Sequence, residues 1–198
     1  MSVSNSRSAD HPIDPIFLER WSPRAFTGED ISEQELMTML EAARWAPSTF
    51  NLQPWRFIWA RRGTPHWAKF VDTLVPMNKM WAHKASALVY LVSHRMMQAW
   101  GGDGMEPSPT HSFDAGAASG YLALQAVRMG WHVHGMYGFD MDRAVSDLAV
   151  PADYRVEAAF AIGRMADKTK LPEEFQQREL PSGRKTLLEL AFEGAFPA

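Results

Sequence analysis

The chain contains no cysteine. This excludes a disulfide scaffold, thiolate catalysis and cysteine-ligated zinc or iron–sulfur centres. It also lacks a surplus of positive charge: 20 Lys and Arg stand against 23 Asp and Glu, a net charge of -3, so electrostatics give no case for a nucleic-acid or anionic-membrane partner. No apolar run is long enough to span a bilayer. Residues 1–10 have no apolar run either, so they read as neither signal peptide nor anchor, and they are expected to be disordered. A soluble, cytoplasmic protein follows as the expectation. Missing too are the Gly-x-Gly-x-x-Gly turn, the Walker-type phosphate loop and the Gly-x-Ser-x-Gly elbow. Ser93, His94 and the scattered acids form no nucleophile–base set. His132 and His134 would share a strand face, yet no third ligand lies nearby, so packing or surface histidines outweigh a metal pair. No metal and no catalytic side chain are expected. If the chain is an enzyme, its reactive group belongs to a bound cofactor.

What is present fits one domain over residues 1–198. Eight tryptophans and twelve methionines are many for this size, and they suit a core, a surface for flat ligands or a subunit contact. The chain is organised around residues 42–55, where a helix ends, a polar loop turns and an apolar strand leaves. Pro47 ends the helix, and Pro54 is expected to keep Gln53 extended. Ser48, Thr49, Asn51 and Gln53 place short donors and acceptors among Trp45, Phe50 and Trp55. Two readings stay open there: a capped helix end with a solvated connection, or a loop holding a flat, polar-edged ligand. A similar pair stands at residues 20–24. Pro23 makes the segment extended, so Arg20, Ser22 and Arg24 point to one side, either as a solvated basic turn or as a phosphate cradle.

The remaining elements follow in order. Asp14-Pro15 opens a short helix. Ser32 and Glu35 form a capping box before Leu36, Met39, Leu40 and Ala43 at helical spacing. Helical pieces are expected from 63 and over 77–84, and residues 85–93 read as a strand covered on both faces. Residues 95–110, with three glycines and bulky Met96, Met97, Trp100 and Met105, read as a flap over a pocket or as a surface loop. A small-residue helix over 112–129, capped by Gly130, allows close helix approach at a central or inter-subunit contact. Strands follow at 131–137 and 156–162, with an Asp140-capped helix between them. Residues 164–198 show little periodicity before Leu187 to Phe192, which suggests an arm packing on a second subunit.

Four motifs stand in a telling order: Arg20-x-Ser22-x-Arg24; Ala46-Pro47-Ser48-x-x-Asn51-x-Gln53-Pro54-Trp55; Gly138-Phe139-Asp140; and Gly183-Arg184-Lys185 with Glu189 and Phe192 beyond it. Together they resemble the nitroreductase family of FMN-dependent oxidoreductases, over about residues 15–196. The resemblance implies an α+β fold, a mainly antiparallel central sheet flanked by helices, and a homodimer that exchanges C-terminal arms and binds two FMN molecules. It implies that Arg20, Trp21 and Ser22 meet the FMN phosphate and ribityl chain, with Arg184 on the phosphate and Lys185 a weaker candidate. Arg24 would lie near the flavin N1–O2 edge, where positive charge stabilises reduced flavin. Asn51, with Pro47 and Ser48, would reach the ring edge from the other subunit, and backbone N–H groups at Tyr137 and Gly138 would approach N5. Many relatives carry an acid where this chain has Tyr137. The implied activity is ping-pong hydride transfer from NADH or NADPH to an electron-poor acceptor such as a nitroaromatic or quinone, with Trp100, Met105 and Phe113 guessed as the second wall of the stacking slot. Two alternatives remain: a same-fold flavoenzyme with another reaction (dehalogenation, ring oxidation, flavin destruction), or a non-catalytic flavin-binding dimer.

Overall fold

The structure, a computed structural model, describes residues 5–197. Its elements in chain order are α1 (Ile16–Glu19), α2 (Glu33–Arg44), β1 (Trp55–Arg61), α3 (Trp67–Asp72), α4 (Pro76–Ala82), β2 (Ala87–His94), β3 (Met96–Gln98), β4 (Met105–Pro107), α5 (His111–Arg128), β5 (His132–Met136), α6 (Met141–Asp147), β6 (Tyr154–Gly163) and α7 (Glu173–Gln176). The fold is α+β: β1, β2, β6 and β5 lie in that order in one antiparallel sheet, flanked by helices. The near-continuous apolar run of β2 is explained by its place. It is buried from Ala87 to Ser93 and bonded to β1 on one side and β6 on the other.

Side-chain alternation on β2 divides the core in two. Leu88, Tyr90 and Val92 face a cluster with Phe26, Phe70, Trp81 and Phe139, while Ala87, Val89 and Leu91 face α2 and α5 through Leu36, Met39, Ala115, Ala118 and Leu122. The small residues of α5 let it sit against both α2 and the sheet. The capping box is present: Ser32 Oγ accepts the Glu35 N–H at 3.1 Å and Glu35 Oε2 accepts the Ser32 N–H at 3.0 Å. Asp140 caps α6 by accepting the Arg143 N–H at 3.0 Å, and Gly130 takes φ +76° just past α5.

Three expectations need adjusting. The flap at 95–110 contains a small ribbon, β3 paired with β4. Residues 5–10, within the stretch expected to be disordered, are held by side-chain bonds: Arg7 donates to three carbonyls, and Asp10 accepts the Leu187 N–H at 3.2 Å. Residues 1–4 lie outside the described residues. The tail does not leave the body at 164 but later. Met165 pairs with Phe26, and Leu171, Phe175 and Glu179 are buried at a four-residue spacing, whereas 182–197 are exposed.

Candidate functional site

The segment 20–24 is extended, with Trp21 and Pro23 buried and Arg20, Ser22 and Arg24 partly exposed on the other side, as the alternation requires. It lines a cavity of about 290 Å³ together with Arg7, His134, Arg178 and Arg184. Residues from both ends of the chain therefore meet in one place. Sequence reasoning named Arg20, Trp21, Ser22, Arg24 and Arg184; it missed Arg7, His134 and Arg178, which carry no motif.

The electrostatics are lopsided. Among the described residues, Arg24 is the one cavity arginine in an ion pair, 3.6 Å from Glu179. Glu179 is 2% exposed and its Oε1 accepts the N–H groups of Arg24 and Ala25 at 2.6 and 2.8 Å, so its charge is spent holding the backbone. Burial and then the Arg184 guanidinium hold Arg20 below the usual arginine range; Arg7 is lowered by burial, Arg184 and Arg20. Both remain cations at neutral pH, and the shifts register burial first and mutual repulsion second. His134 supplies no further charge. Burial, then Arg24, pushes it down to about 4, although bonds to the Pro23 and Ser22 carbonyls oppose this. Its Nδ1 is 3.1 Å from Pro23 O and its ring packs 4.6 Å from Trp81. Converging guanidinium groups without matching acids suit a dianion such as a phosphate monoester. The residues present therefore fit the phosphate end of FMN.

Pro47, Ser48, Asn51, Tyr137 and Gly138 do not line this cavity. The 48–53 loop is tightly kept: Asp114 Oδ1 accepts the Thr49 N–H at 3.3 Å and Ser48 Oγ accepts the Gln53 N–H at 2.9 Å. Phe50, Asn51 and Gln53 all have positive φ, 49°, 56° and 48°. Gln53 is thus left-handed rather than extended, because its N–H is drawn to Ser48 and its Nε2 donates to Asn51 O at 3.1 Å. Asn51 and Pro47 stay exposed. Tyr137 is exposed beside Phe139. Gly138 O accepts from Val75 N and Asn78 Nδ2 at 3.1 and 2.9 Å, and a Cβ there would meet Asn78 Nδ2 at 2.5 Å. A larger residue there would have to displace the Asn78 amide that holds the Gly138 carbonyl. Trp100 and Phe113 are exposed, and Trp100 packs on Phe50 at 5.2 Å, joining the flap to the loop.

Two other places lack this combination. An open groove of about 740 Å³ between α2 and β1 gathers no comparable cluster of cations: Arg44 is paired with Glu41, and Arg56, which donates to the Gln53 and Trp55 carbonyls, stands alone. A buried cluster joins Ser93 to His111 Nδ1 at 2.8 Å and to Glu157 Oε1 at 2.5 Å, with Ser112 on the same carboxylate. Its order is wrong for a nucleophile. Ser93 donates to the Glu157 carboxylate and so accepts from His111, which puts the imidazole in the wrong role to take its proton. The cluster ties β2, α5 and β6. His132 and His134 belong to no group of three metal-type side chains among the described residues.

Comparison with known proteins gives the site a context. The model of the Nitroreductase family matches residues 18–164. The chain belongs to the nitroreductase family. It is 31% identical to an uncharacterised 15.4 kDa protein of Mycolicibacterium smegmatis over 149 residues, 71% of this chain and 97% of that one. It is 27% identical to a Thermus thermophilus protein named NADH dehydrogenase over 194 residues, 86% and 92% of the two chains. Among solved structures, an oxidoreductase containing FMN superposes with TM-score 0.94 at 47% identity, covering 100% of this chain and 99% of that one. A Desulfovibrio desulfuricans protein solved in complex with FMN superposes with TM-score 0.70 at 25% identity, covering 94% and 100%. The nitroreductase fold expected from the motifs is thus the fold observed.

Proposed function

We propose that this member of the nitroreductase family is an FMN-dependent oxidoreductase. The observation that carries this is the arginine cavity, which gathers Arg20, Ser22, Arg24 and Arg184 from opposite ends of the chain and, among the described residues, gives only Arg24 an acidic partner. An FMN-containing structure at 47% identity and a relative named NADH dehydrogenase support it. Bound FMN would supply hydride transfer, from NADH or NADPH to an electron-poor acceptor such as a nitroaromatic or quinone. The chain's part is binding and orientation. Arg20 and Arg184 hold phosphate, with Trp21 packed behind and Ser22 donating a hydroxyl. Arg24, fixed by Glu179, brings positive charge toward the pyrimidine edge. His134, neutral at pH 7, adds no competing charge.

At about 290 Å³ the cavity is near the lower end of ligand pockets, which run about 300–1,000 Å³. A flat ring system needs another wall. We assign that wall to Pro47, Ser48 and Asn51 of a second copy, with Tyr137–Gly138 backbone facing N5, in a homodimer that exchanges its C-terminal arms. Exposed Leu187, Leu188, Leu190 and Phe196 on the arm support this, as does the α5 face at Gly116 and Gly120, where nothing lies within 4 Å.

The test is spectroscopic. The purified protein, or apoprotein given FMN, is expected to be yellow, to bleach anaerobically with NADH or NADPH, and to regain colour with a nitroaromatic or quinone. Protein that takes up no FMN rejects the proposal; yellow protein that neither nucleotide bleaches rejects the reaction while keeping the cofactor.

A further inference from the structure

The family match begins at residue 18, yet one wall of the arginine cavity comes from before it. We propose that Arg7 is a positioning residue of the phosphate site, tying the N-terminal segment, the end of α1 and the base of the C-terminal arm into a single anion cradle. This rests on the FMN reading above and extends the site to a segment outside the matched span.

The geometry is specific. Arg7 Nη1 donates to Arg20 O at 2.7 Å and Leu18 O at 3.1 Å, and its Nε donates to Ser182 O at 2.8 Å. A guanidinium presents its donors in a rigid plane, so one side chain fixes three carbonyls at once. Two belong to the turn that carries Arg20; the third lies two residues before Arg184. Asn5 seats the segment further, donating from Nδ2 to Leu18 O at 2.9 Å while its Oδ1 accepts the Arg7 N–H at 3.2 Å.

This arrangement answers a physical problem. Arg20 and Arg184 repel each other, and neither is in an ion pair among the described residues. Side chains alone would splay apart. Arg7 instead locks the backbones beneath them, and its own charge adds to the field that an anion meets. The cost of holding three cations together is recovered when a dianion arrives, so phosphate binding and docking of the 5–10 segment are coupled, each favouring the other. The cavity of about 330 Å³ on the outer side, lined by Arg7, Asp10, Arg184 and Thr186, marks where that segment meets the arm.

The experiment titrates full-length apoprotein with FMN and with riboflavin, which lacks the phosphate, following flavin fluorescence for the wild type, Arg7→Ala and Arg7→Lys. Arg7→Ala is expected to weaken FMN by about tenfold or more, the scale of one lost charge-assisted contact, and to leave riboflavin within about twofold. Arg7→Lys, which keeps the charge without the planar fork, is expected to recover only part of the loss. Wild-type affinity in Arg7→Ala, an equal loss for both flavins, or full rescue by lysine overturns the positioning role. A wild-type chain that binds no FMN removes the underlying reading and this proposal with it; one that binds FMN as tightly as its Arg7→Ala variant removes the proposal alone.

Discussion

His134 shows how one side chain can be set by its surroundings. Its ring is buried against Trp81 and Arg24 is near, so protonation is opposed and its pKa falls to about 4, even though the Pro23 carbonyl facing Nδ1 favours the proton. In the unfolded chain it returns to about 6.5. The unfolded state therefore binds the proton first as pH drops. His134 contributes its stability in full above about pH 6.5 and loses it between there and about 4, up to about 3 kcal/mol at 1.36 kcal/mol per pKa unit. His132, lowered by burial, acts in the same direction. His134→Gln, neutral throughout and able to donate to Pro23 O, is expected to flatten the pH dependence of urea unfolding between pH 7 and 4.5. A profile as steep as wild type would remove His134 as its source. The sequence left packing or surface roles open for this histidine; its ring packs against Trp81. Arg20, Ser22 and Arg24 were legible because an extended segment before proline alternates. Arg7 and Arg178 were not: neither sits in a periodic or spaced motif, and their relevance exists only once the termini converge.

At the scale of elements, the loop after α2 is where local preference and tertiary demand collide. Three non-glycine residues with positive φ in four positions are costly, on the order of 1 kcal/mol each. The loop keeps that shape because Asp114, 2% exposed in the first turn of α5, accepts the Thr49 N–H and the Thr110 hydroxyl. Asp114→Ala should lower unfolding free energy by about 1–2 kcal/mol, since it strands two part-buried donors. It should also speed hydrogen exchange at Thr49 to Gln53 while leaving the β2 amides protected. Unchanged exchange in the loop would show that Asp114 does not hold it. Proline chemistry predicted an extended Gln53 and could not foresee that Ser48 would capture its N–H. Elements with strong local signals were readable: the Ser32–Glu35 box, the central run of β2, the Asp140 cap. The ribbon of β3 and β4 was not, because three-residue strands show no alternation to detect. Nor was the packing of 164–180, where Leu171, Phe175 and Glu179 repeat too briefly to separate from a loop.

For the whole molecule, the division of the tail decides what a truncation means. Cutting after residue 163 would remove Leu171 and Phe175 from the core and Glu179 from beneath Arg24, so collapse of that fragment would say nothing about a partner. Cutting after Leu180 keeps those contacts and removes the exposed arm with Arg184, together with the Ser182 carbonyl that Arg7 holds. There Leu188 and Phe196 are 88% and 86% exposed, a pattern that suits burial against another surface. If the arm is exchanged in a homodimer, the 1–180 chain should retain its far-ultraviolet circular dichroism, sediment as a monomer and bind FMN weakly, because both Arg184 and the partner's wall are lost. Adding Arg184→Ala to the full-length chain separates the two effects: it should weaken FMN while the dimer persists. A 1–180 chain that sediments as a stable dimer would place the subunit contact elsewhere, and the α5 face at Gly116 and Gly120 would then be the surface to substitute.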